Sequence, residues 1–323
     1  METRDDPTCP VCAAAGAPIR ERARGAQRWT CFACAACGLQ YWSPRAIDPA
    51  FYADAHHDPY ERRRRGEAFL RERHHLFLRR ARPGRLLDLG CGEGSFLDAA
   101  RARGFDDVAG LDLDPGNVAA ARARGLASVH ATLLLDEAGA LAPPLRGVAP
   151  FAWVTAFEVL EHQADPLGFL RAARGLLAPG GALCGSVPNR DRVLAERDRR
   201  RSDADFPPHH FLWFSAAALA EALRRAGFSH ALVLPIPEPD AQSFASFLEN
   251  SLLGGLTNRA KRAARPLAER GGAPRVGAAR AATRGRRLVD AARTAKNLPF
   301  LPLALVLRRL APARLRGLYF EAS

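Results

Sequence analysis

The apolar run Leu86-Leu87-Asp88-Leu89 passes directly into Gly90-Cys91-Gly92-Glu93-Gly94-Ser95-Phe96, and Asp112 closes a second apolar run, Val108 to Leu111, about 20 residues after the turn. A strand that ends in a glycine-rich turn, opens a helix and is followed by an acid at the end of the next strand is the layout of a nucleotide-type cofactor site. It commits the chain to a parallel α/β sheet. The spacing also narrows the ligand. In a dinucleotide fingerprint the third glycine lets a helix pack close beneath a pyrophosphate; here Ser95 occupies that position and Gly94 comes one residue sooner. The pattern is GxGxG rather than GxGxxG, which suits a smaller head group.

The rhythm continues downstream. Apolar runs near 86–89, 108–112, 127–130, 151–157, 182–187 and 230–235 alternate with helical patterns near 95–103, 116–124, 166–177 and 215–226. Such alternation specifies βαβ units. Pro179-Gly180-Gly181 predicts a tight turn before the fifth strand, and Leu318-Tyr319-Phe320-Glu321 a last, antiparallel strand, which makes 241 to 314 an insertion. At 323 residues the chain divides into a cysteine-rich segment 1–45, a helical lead-in 46–84, a core 85–240 and a basic helical insertion with the final strand, 241–323.

Three segments carry a family resemblance: the turn with Asp112, the block Phe151-Ala152-Trp153-Val154-Thr155-Ala156-Phe157-Glu158-Val159-Leu160-Glu161-His162 with Asp165-Pro166, and Leu176-Leu177-Ala178-Pro179-Gly180-Gly181. Over residues 85 to 235 the chain resembles class I S-adenosylmethionine-dependent methyltransferases. Ala152 replaces that family's usual aspartate. The resemblance implies a Rossmann-like seven-stranded methyltransferase sheet and S-adenosylmethionine as cofactor. Gly90, Gly92 and Gly94 would let the backbone approach it, Asp88 would support its amino end, and Asp112, with Leu113 beside it, would accept from the ribose hydroxyls. Asp114, with Pro115 after it, reads instead as a helix cap. The loop near 131–136 carries no clear acid for the adenine amino group, and that contact stays open between Asp136 and Glu137.

Methyl transfer is an in-line displacement, so the enzyme aligns two centres and supplies a base where the acceptor carries a proton. Candidates stand at strand ends: His162, His210 and Glu158 first, with Glu161, Asn189 and His209 nearby. A histidine suits by its near-neutral pKa. Glu158, Glu161 and His162 with His209 or His210 also look like the two-Glu, two-His magnesium site of small-RNA 2′-O-methyltransferases, although EVLEH occurs equally in metal-independent enzymes.

Cys9-Pro10-Val11-Cys12 and Cys34-Ala35-Ala36-Cys37 form two CxxC knuckles 21 residues apart in a segment too poor in aliphatic residues for its own core. That spacing suits one structural zinc held by Cys9, Cys12, Cys34 and Cys37 as a ribbon. Cys31, which makes a second CxxC with Cys34, leaves the register open. The lead-in carries Tyr52, Tyr60, arginines at 62 to 65, Phe69, Leu70, Leu76, Phe77 and Leu78, and reads as a helix that covers the cofactor pocket or lies solvated.

The net charge is +13, yet residues 255 to 323 hold sixteen Arg or Lys against Glu269, Asp290 and Glu321. The remainder is neutral, so the bulk charge says nothing about the core. Within the tail, Leu298 to Leu307 is too short and too proline-broken to cross a bilayer. It packs on the core, contacts an anionic membrane surface through 255–316, or touches nucleic acid, the reading least favoured. With no secretory pattern at Met1 to Pro10, a cytoplasmic location is expected. The leading expectation is transfer of a methyl group to a small-molecule acceptor such as a sugar, lipid or secondary metabolite. An RNA methyltransferase and a non-catalytic cofactor-binding scaffold are the alternatives.

Overall fold

The computed structural model describes residues 6–47, 70–136, 138–200, 203–238, 241, 244–249, 251–252 and 297–323. The chain forms two compact units, one from 1–191, 204–236 and 316–323, the other from 192–203 and 237–315.

The first unit is built on a seven-stranded sheet. β4 (Leu86–Leu89), β5 (Val108–Asp112), β6 (Val129–Ala131), β7 (Phe151–Phe157) and β8 (Leu177–Pro188) are parallel, and β11 (Gly317–Ala322) runs antiparallel between β8 and β10 (Ala231–Pro235). The order β10-β11-β8-β7-β4-β5-β6 is the expected Rossmann-like arrangement, with the final strand inserted where Leu318 to Glu321 predicted it. All four residues of β4 are buried, because helices cover both faces and leave no reason for polar alternation.

The helices begin where side chains satisfy their first free N–H groups. Asp114 caps α3 (Pro115–Ala123) by accepting from Gly116 and Asn117, Asp165 caps α4 (Pro166–Gly175) through Gly168, and Ser215 caps α6 (Ala216–Arg225) through Ala218. α2 (Ser95–Arg101) starts from Gly94, and α5 (Ala195–Arg199) belongs to the second unit.

One expectation holds in altered form and one needs correction. The Pro179-Gly180-Gly181 turn, with Gly180 at a φ of +75°, is taken up within one long strand, β8, whose register against β7 slips between Phe151 and Trp153 and resumes at Ala182. A Cβ on Gly181 would stand 2.9 to 3.0 Å from three carbonyl oxygens, so the backbones pass there only because the residue is glycine. The cysteine-rich segment, in turn, is not separate from the core. β1 (Ala17–Arg24), β2 (Gln27–Ala33) and β3 (Gln40–Ser43) form a sheet whose fourth strand is β9 (Leu212–Trp213), so the division expected at residue 45 is not a division in the packing. Trp42 packs its ring edge-on against Phe206 and Trp213, and its backbone N–H donates to the Phe211 carbonyl.

α1 (Glu72–Arg80) puts Phe77 edge-on to Phe96, Trp153 and Phe157. That packing decides against a solvated lead-in for these residues; Tyr52, Tyr60, the arginines at 62–65 and Phe69 lie outside the described residues. In the second unit, α7 (Leu301–Leu310) packs Ala304 with Phe244, Ala245, Leu248 and Leu315. Among the described residues no helix is long and apolar enough to cross a membrane.

Candidate active site

The glycine turn leaves β4 with Gly90, Gly92 and Gly94 all in the left-handed region, at φ of +77°, +55° and +82°. Two of them are required by packing. A Cβ at Gly90 would lie 2.5 Å from Val159 and one at Gly94 2.3 Å from Leu126, whereas at Gly92 it would meet nothing within 4 Å. Gly92 is therefore the open position, where a ligand can reach the backbone.

Asp112 faces that position. Its Oδ2 accepts the Gly92 N–H at 2.8 Å, and its Oδ1 accepts the Asp114 N–H at 3.0 Å and the Asn117 amide at 3.2 Å. Three internal donors fix the carboxylate, with one of roughly four acceptor positions left over. Leu113 follows it, half-buried. Asp88 is buried and accepts from the Thr155 hydroxyl at 2.7 Å; burial, opposed by that bond and reinforced by the charge of Asp112, pushes it up to about 7. A ligand that brings an ammonium and a diol relieves these buried acids, so the residues fit S-adenosylmethionine. Of the two adenine candidates, Asp136 is used within its own loop, accepting from Ala138 and Ala140, and Glu137 lies outside the described residues.

Beyond β7 the chain reverses at Glu158, whose φ is +59°. A non-glycine residue held there marks a backbone that its surroundings over-determine. The reversal separates the two glutamates of the EVLEH block. Glu158 accepts from Ser186 at 2.8 Å and lies 3.7 Å from Arg73, so it does not join the histidines. Glu161 does. The Nε2 atoms of His162 and His210 each stand 3.9 Å from Glu161 Oε1, and the two rings meet edge-on at 4.8 Å.

The outer nitrogens decide the tautomers. His162 Nδ1 lies 2.5 Å from the His209 carbonyl, which can only accept, so Nδ1 carries the proton. His210 Nδ1 lies 3.3 Å from Asp205 Oδ1 and by the same reasoning donates to it. Both Nε2 lone pairs are left turned towards Glu161. Glu161 itself is fully buried, and among the described residues neither of its carboxylate oxygens has a hydrogen-bond partner. Burial, with Glu158 nearby, drives its pKa well up, while burial and then His210 push His162 down to about 3. The buried Glu161 carboxylate faces both imidazole rings, and one ligand atom from each of the three side chains lies within 4.8 Å of the others, room for a shared proton or a cation. Anchored Nδ1 atoms with convergent Nε2 atoms are also how metal-binding histidines are held.

Of the remaining candidates, Asn189 is buried with its Oδ1 on the Asp191 N–H, and His209 contributes its carbonyl to the cluster. Glu161, rather than the expected Glu158, faces the histidines, and Asp205, Ser186, Thr155 and Arg73 join these side chains without a motif that announces them. Nothing in the local pattern distinguishes two glutamates three apart when the turn between them is unknown.

The cysteines form a second cluster. Cys9, Cys12, Cys34 and Cys37 bring their sulfurs within 4.8 Å of one another, with Cys9 and Cys37 3.5 Å apart and Cys12 and Cys34 3.2 Å. Four thiolates around one tetrahedral zinc lie about 3.8 Å apart, so this set fits that ion. Cys31 is buried on β2 outside it, which settles the register. The N–H groups of Val11 and Cys12 face Cys9, and those of Ala36 and Cys37 face Cys34.

A family profile described as a methyltransferase domain matches residues 60–232. A ubiquinone biosynthesis O-methyltransferase of Cereibacter sphaeroides is 42% identical over 108 residues, 33% of this chain and 42% of that protein. One of the same name from Xanthomonas campestris is 43% identical over 112 residues, 34% of this chain and 46% of that protein. The match thus spans less than half the length of these relatives. A solved SAM-dependent methyltransferase from Thermotoga maritima, described as a possible histamine N-methyltransferase, is 20% identical with a TM-score of 0.42, covering 58% of this chain and 83% of that one.

Proposed function

Because the chain belongs to the methyltransferase-domain family, with 60–232 as its matching region, we propose that it transfers a methyl group from S-adenosylmethionine to a hydroxyl of a small molecule. The cofactor supplies an activated methyl on a sulfonium. Gly92 opens the backbone to it, Asp88 holds its amino end, and Asp112, already aimed by three donors, receives its ribose. Leu113 lines the same turn. Gly90 and Gly94 shape that turn without touching the ligand.

The reading of the acceptor rests on one observation: Glu161 is fully buried with both oxygens unpartnered, opposite two imidazole lone pairs. That centre takes up a positive charge, which is what removal of a hydroxyl proton delivers. His210 is the accepting group, His162, kept a neutral imidazole by its burial, packs edge-on against it, Glu161 stabilises the charge, and Glu158 positions β8 and Arg73 around them. The names of the O-methyltransferase relatives agree with oxygen as the acceptor atom. The donor set also fits a divalent cation, which when bound would lower the pKa of the acceptor hydroxyl. The four cysteines hold a structural zinc.

The test is mass spectrometry of metabolites that gain a labelled methyl when the protein and labelled cofactor meet an extract, with Asp112→Ala as the control. Labelled methyl ethers are expected from the native chain and none from the variant, which should show no binding by calorimetry. Unchanged affinity would overturn the assignment of Asp112. Activity lost to EDTA and restored by magnesium or manganese, with the cysteine-bound zinc retained, assigns the Glu161 cluster to an ion; activity that survives assigns it to a proton.

A further inference from the structure

We propose that the outward face of α7 in the second unit docks on an anionic lipid surface. The ten residues of this helix, Leu301 to Leu310, contain no acid and are apolar apart from Arg308 and Arg309. Ala304 is buried, and Leu301 and Leu307 pack beside it in the unit's own core. At about 100° per residue, the opposite arc carries Pro302, Leu303, Leu305, Val306, Arg309 and Leu310. An ordinary surface helix is polar on that side. Here Leu303, Leu305, Val306 and Leu310 are 42%, 53%, 51% and 77% exposed, and Leu298, just before the helix, is 54% exposed. Five of the six outward residues are thus apolar, and they form a continuous strip rather than scattered single contacts with water.

Charge chooses the occupant. Residues 255 to 323 hold sixteen basic residues against three acids, while the rest of the chain is balanced. Arg309 stands on the outward arc itself, while Arg308 lies on the inward side and donates to the Glu238 carbonyl. Apolar side chains that enter the acyl boundary, with arginines at the headgroups, are the two signals that together hold a protein on a membrane without crossing it. A helix of about 15 Å is too short to cross the bilayer, so it would lie on its surface. Nucleic acid fits less well, since the outward arc has no aromatic residue for base stacking and its one charge sits among aliphatic chains.

The test is flotation of the full-length protein with phosphatidylcholine vesicles and with vesicles that also contain phosphatidylglycerol, compared with the variant Val306→Glu/Leu310→Glu. Both positions face outward, so melting temperature and zinc content should stay at native values. The native chain should float with anionic vesicles and not with neutral ones. Because burial of each aliphatic side chain is worth about tenfold or more, the variant should partition at least ten times more weakly. No flotation with anionic vesicles overturns the proposal, as does a variant that floats like the native chain. An RNA gel shift or a self-association that the same substitutions abolish, in protein that ignores vesicles, reassigns the face and equally overturns it.

Discussion

Asp112 and Glu161 follow the two strands that flank β4, β5 on one side and β7 on the other, and the protein treats their carboxylates in opposite ways. Asp112 receives three hydrogen bonds, from the glycine turn, its own turn and the next helix; Glu161, more deeply buried, receives none among the described residues. A carboxylate with internal donors has its rotamer fixed before any ligand arrives, so the proposed cofactor side is preorganised. A buried carboxylate without donors is stable only beside a positive partner, so the proposed acceptor side is completed by what it binds. On that proposal one half of the site is a finished receptor, and the other is half of an ion pair.

The strongest test of that contrast is made far from either acid. The strand that carries the cysteine sheet onto the core, β3, pairs with β9, which begins two residues after His210. Cys9→Ser with Cys37→Ser should release the zinc, whose binding is worth roughly 10–16 kcal/mol in small zinc domains, and with it the support of the His210 segment. Metal analysis should find no zinc, and the protein should melt far lower and lose activity. Full activity without zinc would show that the acceptor side is organised independently of the ribbon. The second effect separates the halves directly. Glu161→Gln should lower the rate constant by about 10²–10⁴ while calorimetry gives the native cofactor affinity. Its melting temperature should not fall, because the substitution removes an uncompensated buried acid. Loss of cofactor binding in that variant would break the contrast.

The cofactor half was legible because its parts are local. A four-residue apolar run, three glycines at spacing two and an acid after the next apolar run determine a strand, a turn and a second strand without distant help. Even there, the residues did not reveal that Gly90 and Gly94 answer to Val159 and Leu126 and that Gly92 alone is open. The acceptor half was only partly legible. His162 was singled out from its block, but a left-handed Glu158 turns one glutamate towards Ser186 and Arg73 and the other towards the histidines. No sequence period encodes that turn. His210 arrives from 48 positions downstream, placed by a two-residue strand too short to show any alternation. The same short strand is why a ribbon expected to stand apart is part of the core.

Asp88 gives an effect of intermediate size that sharpens the account of the cofactor side. Its carboxyl lies at about 7 in the folded protein, mainly through burial, well above the ordinary carboxylate range. The folded state therefore holds this proton more tightly than the unfolded chain, so the associated stability is complete at low pH and is lost as pH rises towards 7. Without ligand, the melting temperature should decline from about pH 5 to 7.5, by on the order of 1–3 kcal/mol in stability. Asp88→Asn should flatten that decline and weaken cofactor binding. A saturating cofactor analogue with a free ammonium should flatten it in the native chain, because the ammonium stabilises the ionised acid. A native profile that is flat without ligand would remove Asp88 from this role.

The smallest effect belongs to Asp205, which touches neither the cofactor nor Glu161. Its Oδ1 lies 3.3 Å from His210 Nδ1, and its carbonyl takes the Trp213 indole N–H at 2.6 Å. The carbonyl contact is made by the backbone and survives substitution, so Asp205→Asn leaves β9 in place and changes only the partner of the imidazole. An amide can accept from Nδ1–H, but without the negative charge that strengthens the bond and favours the tautomer with Nε2 towards Glu161. Outer partners of this kind are typically worth 10–100-fold. At 3.3 Å the lower end is expected, about a tenfold loss in rate with little change in KM and an altered pH profile. Native kinetics in Asp205→Asn would mean that the His210 tautomer is set by Glu161 and its bound positive charge alone, and the incomplete half of the site would then be organised entirely from within.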